Sequence, residues 1–344
     1  MKVRLAVVGS GFGLYGLLPA FQQIPECVIT GICGKNSERM IDYCRKTSVP
    51  KIFQDWRELI EESKPDAVAV AVIPRYQYEI IMYALQRGIS VFAEKPLAIN
   101  IEQAEQLLMC VRKNGLPNMV DFIFPEIPEW KSCAKLLKEN AIGKVIQVTI
   151  NWSFLSYDIK NQLNTWKSNP QEGGGAMAFY FSHIFYNLEF FLGKIQTLHC
   201  NLNYSPTSLG KGETVVSMVV RWESGCTGNI VLNCGSVGLN KHVWEFQGQK
   251  GELVLQNMTR TIGIGFELIH HNSNGERSII APVRSEPLSA EDERVRLVKS
   301  LGERFIAWHQ GDVPSKPDFG DAVRVQQLIK CAIDSANSKE MLIE

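Results

Sequence analysis

Lys2-Val3-Arg4-Leu5-Ala6-Val7-Val8 runs directly into Gly9-Ser10-Gly11-Phe12-Gly13-Leu14-Tyr15-Gly16. The first stretch is apolar enough for a buried parallel strand, and the second reads as a glycine turn opening a helix that continues to Phe21. A turn of this kind holds phosphate. Glycine at 9 permits the tight bend, glycine at 11 lets a pyrophosphate approach the backbone, and the helix start offers free N–H groups with the positive end of its dipole. The cradle is therefore assigned to Gly9, Gly11, Phe12 and Gly13, with a dinucleotide as its ligand. In the register set by Val8 the third glycine of the fingerprint falls on Leu14. A shifted register through Gly11, Gly13 and Gly16 needs the strand to end later, and the residues alone leave both open.

Outward from this turn, strands and helices alternate. Cys27–Cys33 reads as a second strand, 38–46 and 55–62 as helices, and Asp66-Ala67-Val68-Ala69-Val70-Ala71-Val72-Ile73 as an almost wholly apolar strand closed by Pro74. A helix over 76–87 follows, then Ile89-Ser90-Val91-Phe92-Ala93, which delivers Glu94-Lys95-Pro96. Strands apolar on both faces, alternating with helices, predict a doubly wound parallel sheet. In such sheets ligands gather at the carboxyl ends of strands, where Pro74, Glu94 and Lys95 fall. The end of the second strand, where an NAD-binding fold usually places an acid for the ribose hydroxyls, holds Gly34. Lys35, Asn36, Ser37 and Arg39 come next, small or cationic groups suited to a 2′-phosphate, so the reading favours NADP over NAD.

The 344 residues suffice for two domains, and the 36 basic side chains equal the 36 acidic ones. That balance gives no electrostatic case for nucleic acid or an anionic membrane. No apolar run approaches the length of a membrane span, and Leu5–Val8 is too short for a signal-peptide core, so a cytoplasmic protein is expected. Nine cysteines are scattered without a C-x-x-C pair; they read as small reduced core residues, with no ligand cluster for a metal.

The first domain is expected over 1–123 and a second over 124–344, the crossing marked by Pro125 and Pro128. An amphipathic helix over 130–140 and an alternating strand over 145–152 precede a long polar loop, 153–172, that carries Tyr157, Lys160 and Trp166. Loops of such length in compact domains are often functional, and with Tyr180 these residues are assigned to a substrate wall from location. Gly173-Gly174-Gly175-Ala176 then opens an aromatic helix containing Phe179, Tyr180 and His183. Strands are read over 214–222 and 227–233, joined by a hairpin turn, and over 243–246, 252–256 and 265–269. Helices at 290–310 and 319–336 close the chain, the last a candidate to pack back on the first domain.

The glycine turn followed by Leu18-Pro19-Ala20-Phe21, the strand closed by Pro74, Glu94-Lys95-Pro96-Leu97 before a helix, and Gly173-Gly174-Gly175-Ala176 with His183 resemble the glucose-fructose oxidoreductase, inositol dehydrogenase and MocA family. The resemblance implies a dinucleotide domain plus an α+β domain with a large open, mainly antiparallel sheet. It also implies NAD(P)-dependent oxidation or reduction of sugars, cyclitols or related small molecules. By the same resemblance Lys95 and His183 are the catalytic residues, the Lys95–Pro96 bond is a candidate cis bond, and a homodimer or homotetramer forms through the second sheet. The family's common pattern has an aspartate four residues before the histidine, and here that position is Phe179.

The expected chemistry is hydride transfer between nicotinamide and a carbon bearing a hydroxyl or carbonyl, with Lys95 handling the proton on that oxygen. Lowering a lysine from about 10.4 to neutrality takes roughly 4 kcal/mol, while a protonated lysine is already an acid, so ketone reduction is slightly favoured. Two alternatives stand beside this: a non-catalytic dinucleotide-binding regulator or scaffold, and an imine or conjugated-ring reductase for which the missing aspartate is dispensable.

Overall fold

The structure, a computed structural model, describes residues 1–35, 37–283 and 291–338. The chain divides into two compact units: the described residues of Met1–Ile123 and Leu288–Arg324 form one, and those of Phe124–Pro287 and Val325–Glu344 the other.

In the first unit β1 (Val3–Val8) leads through a π-helical turn, Gly13–Leu17, into α1 (Leu18–Gln22). Then follow β2 (Cys27–Cys33), α2 (Glu38–Lys46), β3 (Ile52–Phe53), α3 (Trp56–Ser63), β4 (Ala67–Val70), α4 (Pro74–Gln86), β5 (Ser90–Ala93), α5 (Ile101–Asn114) and β6 (Asn118–Val120). The strands pair in parallel in the order β3-β2-β1-β4-β5-β6. Strand order reverses beside β1, the place where ligands bind in open α/β sheets. Leu5–Val8, Ala67–Val70 and Val91–Ala93 are buried throughout, which is why helices must cover both faces. Side-chain caps fix helix starts: Ser37 Oγ accepts from Met40 N–H at 3.3 Å, and Asn100 Oδ1 accepts from Gln103 N–H at 2.9 Å.

The second unit begins with a 3₁₀ turn, Phe124–Glu126, then α6 (Pro128–Lys138), β7 (Val145–Ser153) and the one-turn α7 (Tyr157–Lys160). Short 3₁₀ turns at Trp166–Ser168 and Pro170–Glu172 precede a second π-helical turn, Met177–Phe181, which runs into α8 (Ser182–Leu192). Seven strands complete a sheet: β8 (Ile195–Asn203), β9 (Val215–Trp222), β10 (Thr227–Asn233), β11 (Lys241–Gly248), β12 (Gly251–Asn257), β13 (Glu267–Asn272) and β14 (Arg277–Ala281). Their order is β14-β13-β12-β11-β7-β10-β9-β8, antiparallel except where β7 and β10 run parallel. Alternation puts Val148, Ile150 and Trp152 on one buried face with Trp244, Phe246, Leu253 and Leu255. Phe191 of α8 packs on that face, its ring 5.8 Å from Trp244 and 5.2 Å from Phe246.

Two helices follow, α9 (Val295–His309) and α10 (Phe319–Ala336). The sequence reading set α9 within 124–344; in the structure it packs with the first unit. Phe305 explains why: its ring lies 6.4 Å from Phe21 of α1 and 5.8 Å from Phe92 of β5, edge-on to both. Helix α10 is divided between the units after Arg324, and near its start Phe319 N–H donates to Asn118 Oδ1 at 2.8 Å. Among the described residues no helix is long and apolar enough to cross a membrane.

Candidate functional site

The cradle is built where β1 ends. Gly9 has φ +137°, and a side chain there would run into the Ala71 carbonyl that follows β4, so only glycine fits. A Cβ at Gly11 would meet nothing within 4 Å, leaving its backbone open to a ligand. A Cβ at Gly13 would lie 3.5 Å from both Val7 Cγ1 and the Val8 carbonyl, an ordinary contact. Strand β1 ends at Val8, in the first register, so the third fingerprint position is Leu14, which is buried. The Phe12 ring lies against Gly16 and under the Arg294 guanidinium, 4.2 Å from its centre. An open glycine backbone at a helix start fits a pyrophosphate.

At the end of β2, Gly34 abuts Ser10 of the cradle. Lys35 is exposed, Asn36 lies outside the described residues, and the Arg39 guanidinium stands 4.3 Å from the centre of the Tyr15 ring. Arg39 and the cradle residue Tyr15 are therefore brought together, as the sequence could not show.

Pro74 is the first residue of α4, buried beyond β4. One turn on, Gln77 is 1% exposed, and its amide nitrogen lies 2.6 Å from the Glu94 carbonyl, 2.9 Å from that of Pro96 and 3.2 Å from that of Leu97. It ties the whole Glu94–Leu97 turn to α4, and sequence reading missed it. The available signal was a polar residue on the buried face of a helix that starts with proline. The Lys95–Pro96 bond is cis. Lys95 is half-buried, and its N–H donates to Glu94 Oε2 at 2.9 Å. Asp121, just past β6, donates its N–H to the Ala93 carbonyl at 2.9 Å, which sets it beside Glu94, and was also missed.

In the second unit, His183 sits in the first turn of α8, 9% exposed, its ring 5.0 Å from Phe124 and nearly perpendicular to it. Asn187 Nδ2 donates to the His183 carbonyl at 2.7 Å. The preceding π-turn is anchored by Glu213, whose Oε1 accepts from Met177 N–H at 2.7 Å and whose carbonyl accepts from Ala176 N–H at 3.0 Å. Burial raises the Glu213 carboxyl. Of the residues assigned to substrate by location, Trp166 and Tyr180 are joined through Phe179. The Phe179 ring centre is 5.4 Å from Trp166 and 4.7 Å from Tyr180, edge-on to both, with the Lys167 ammonium 5.4 Å from it. Tyr180 continues to Phe154 at 4.9 Å and Trp152 at 6.0 Å. Burial pushes the Tyr180 phenol well up, so it is a hydrogen-bonding group and not a base near neutrality. Tyr157 and Lys160 are exposed on α7.

Behind this wall His242 stacks flat on Trp152, ring centres 4.3 Å apart and planes 4° from parallel. Burial depresses its imidazole to about 3, and Nε2 has no hydrogen-bond partner. Among the described residues no group of three or more His, Cys, Asp or Glu is placed to hold a metal.

A six-stranded parallel sheet with an open glycine cradle, followed by a large mixed sheet, defines a dinucleotide-binding fold joined to a second α/β unit. The chain belongs to the Gfo/Idh/MocA oxidoreductase family: residues 3–122 match its NAD-binding Rossmann fold and residues 134–343 its C-terminal alpha/beta domain. An uncharacterised oxidoreductase of Synechocystis sp. is 26% identical, over 78% of this chain and 76% of that protein. Levoglucosan dehydrogenase of Pseudarthrobacter phenanthrenivorans is 20% identical over 100% of this chain and 98% of its own length. A solved structure of a levoglucosan dehydrogenase in complex with NADH has the same fold, with a TM-score of 0.83, 18% identity, and coverage of 98% of this chain and 97% of the other.

Proposed function

We propose that this chain transfers a hydride between NADP, in preference to NAD, and a hydroxyl- or carbonyl-bearing carbon of a sugar, cyclitol or related small molecule, with carbonyl reduction the favoured direction. The observation that carries the reading is the Glu94–Lys95 turn, clamped by Gln77 at the end of β5 in the same unit as the open Gly11 cradle. The bound nicotinamide supplies the hydride-accepting or hydride-donating carbon. Gly9, Gly11, Phe12 and Gly13 hold the pyrophosphate, Lys35 and Arg39 face the adenosine 2′-phosphate beside Gly34, and Pro74 and Glu94 border the nicotinamide half. Lys95 gives or takes the proton on the substrate oxygen, and His183 is the second catalytic residue. NADH in the levoglucosan dehydrogenase structure supports a nicotinamide cofactor, and the names of levoglucosan dehydrogenase and D-apiose dehydrogenase support a sugar-like substrate.

A second reading, reduction of a conjugated or imine-bearing ring, is favoured by one observation. Where the family pattern has a carboxylate, Phe179 extends an aromatic surface with Trp166 and Tyr180, which suits a flat ring better than a polyhydroxylated one. Val219 and Val231, exposed on the outer face of the second sheet, support a homodimer or homotetramer through that face in a cytoplasmic enzyme.

The deciding experiment is parallel titration with NADPH and NADH, followed by nicotinamide fluorescence and repeated on Lys35→Ala, then oxidation of bound NADPH by ketones, sugars and ring imines. Micromolar binding that prefers NADPH and weakens in the variant is expected. Equal or better NADH binding overturns the NADP assignment, and failure of both cofactors to bind overturns the enzyme.

A further inference from the structure

Glu94 and Asp121 follow partnered residues of adjacent strands. Ala93 pairs with Val120, and Asp121 N–H donates to the Ala93 carbonyl at 2.9 Å, so the two acids leave the sheet side by side. Two carboxyl groups set this close, one of them buried, cannot both ionise, and they share one proton.

The surroundings say which acid holds it. Asp121 is 3% exposed, and its Oδ1 has no hydrogen-bond partner. An ionised carboxylate would leave charge on that bare interior oxygen, whereas the carbonyl oxygen of a neutral acid loses much less there. Glu94 is half-buried and its Oε2 receives the Lys95 N–H, so it is the better anion. The charged groups facing Asp121 are Glu94, Arg294 and Lys95. Arg294 is already gripped by Asp292 through two hydrogen bonds, 2.9 Å and 2.6 Å, and lies on Phe12. Burial first, and the Glu94 charge second, hold the Asp121 carboxyl well above the usual range against the opposing pull of those two cations.

We propose that Asp121 is a positioning residue that works as a neutral carboxylic acid: it donates its proton to Glu94 and thereby fixes the Glu94–Lys95 turn. Its consequence for cofactor binding rests on the function proposed above; its protonation and its hold on the turn do not. Substitution by asparagine keeps a donor in place, and substitution by leucine removes it.

The test compares wild type, Asp121→Asn and Asp121→Leu. Infrared difference spectra at neutral pH should show a protonated-carboxyl carbonyl band, shifted in D2O, that Asp121→Asn lacks. Exchange of the Lys95 amide should quicken about tenfold in Asp121→Leu and stay near wild type in Asp121→Asn. NADPH affinity should follow the same pattern. It should fall for wild type as pH rises through the ionisation of Asp121 and stay flat for Asp121→Asn. Absence of the infrared band, unchanged Lys95 exchange in Asp121→Leu, or identical pH profiles for wild type and Asp121→Asn overturns the inference. Where Asp121→Leu does not fold, the band and the pH profile decide. If no dinucleotide binds wild type, the proposed function fails, and the band with Lys95 exchange in Asp121→Leu still decides the role of Asp121.

Discussion

A Cβ added to Gly34 would lie 2.7 Å from Cβ of Ser10, closer than real side chains approach. The end of β2 is therefore closed to any side chain by the cradle itself, and the acid usual in NAD-binding folds is sterically excluded there. Gly34→Asp is expected to weaken NADH and NADPH together and not to switch preference. Arg39→Ala should weaken NADPH by about tenfold while sparing NADH, since a guanidinium contact to phosphate is a charge-assisted one. Titration of both cofactors against each variant checks this, and a gain in NADH affinity for Gly34→Asp would refute it.

Lys95→Ala should lower turnover by a factor of roughly 10² to 10⁴, the range for loss of a positioned acid or base, with cofactor affinity nearly intact. Stopped-flow oxidation of bound NADPH separates the two quantities. Activity within tenfold of wild type would remove Lys95 from the chemistry.

Gly175 has φ +93°, and a Cβ there would fall 2.5 Å from Glu213 Oε1. Gly175→Ala is expected to cost about 2–4 kcal/mol from left-handed strain plus displacement of the carboxyl that caps Met177. Glu213→Gln, which keeps an acceptor for Met177 N–H, should cost less than Glu213→Ala. Thermal or denaturant unfolding ranks the three.

His242 sets a stability slope on the acid side. An unfolded histidine protonates near 6.5, but the folded imidazole resists until about 3, so the unfolded state binds the extra proton in between. Stability contributed by this residue is complete above about pH 6.5 and is lost as pH falls toward 3, at roughly 1.4 kcal/mol per unit. His242→Phe keeps a ring against Trp152 and should flatten the slope between pH 6 and 4, as unfolding midpoints across that range would show. An unchanged slope would mean that the imidazole ionises within the fold.

Phe179→Asp places a carboxylate between Trp166 and Tyr180, beside the Lys167 ammonium. It should shift substrate preference toward polyhydroxylated compounds and away from conjugated rings. Competition assays with one of each class measure the ratio, and an unchanged ratio removes Phe179 from substrate contact.

Periodicity made the first sheet legible because Leu5–Val8 and Ala67–Val70 are buried on both faces and leave no polar residue to confuse the pattern. Strand β8 was not legible: Gln196, Thr197 and His199 break its alternation. The two-residue β3 carries too little pattern to detect, and β14 is mostly exposed. Lys95 was legible from its place at a strand end. Gln77, Asp121 and Arg294 were not, because their meaning lies in partners 17, 27 and 282 residues away. The packing of α9 was not legible for the same reason: nothing near Phe305 in sequence names Phe21 and Phe92 as its neighbours.

The two π-helical turns, Gly13–Leu17 and Met177–Phe181, each hold one residue more than an α-helical turn does. Each is thus a phase setting for what stands on either side of it. Removing one residue would leave both flanking segments helical yet rotate one against the other by about 100°. At the first turn that rotation would carry Gly13 off β1; at the second it would swing Phe179 out of line with His183. Single-residue length changes at these two places are therefore a more severe lesion than most substitutions within them, and homologues that differ in length there will differ in which side chains face the ligand.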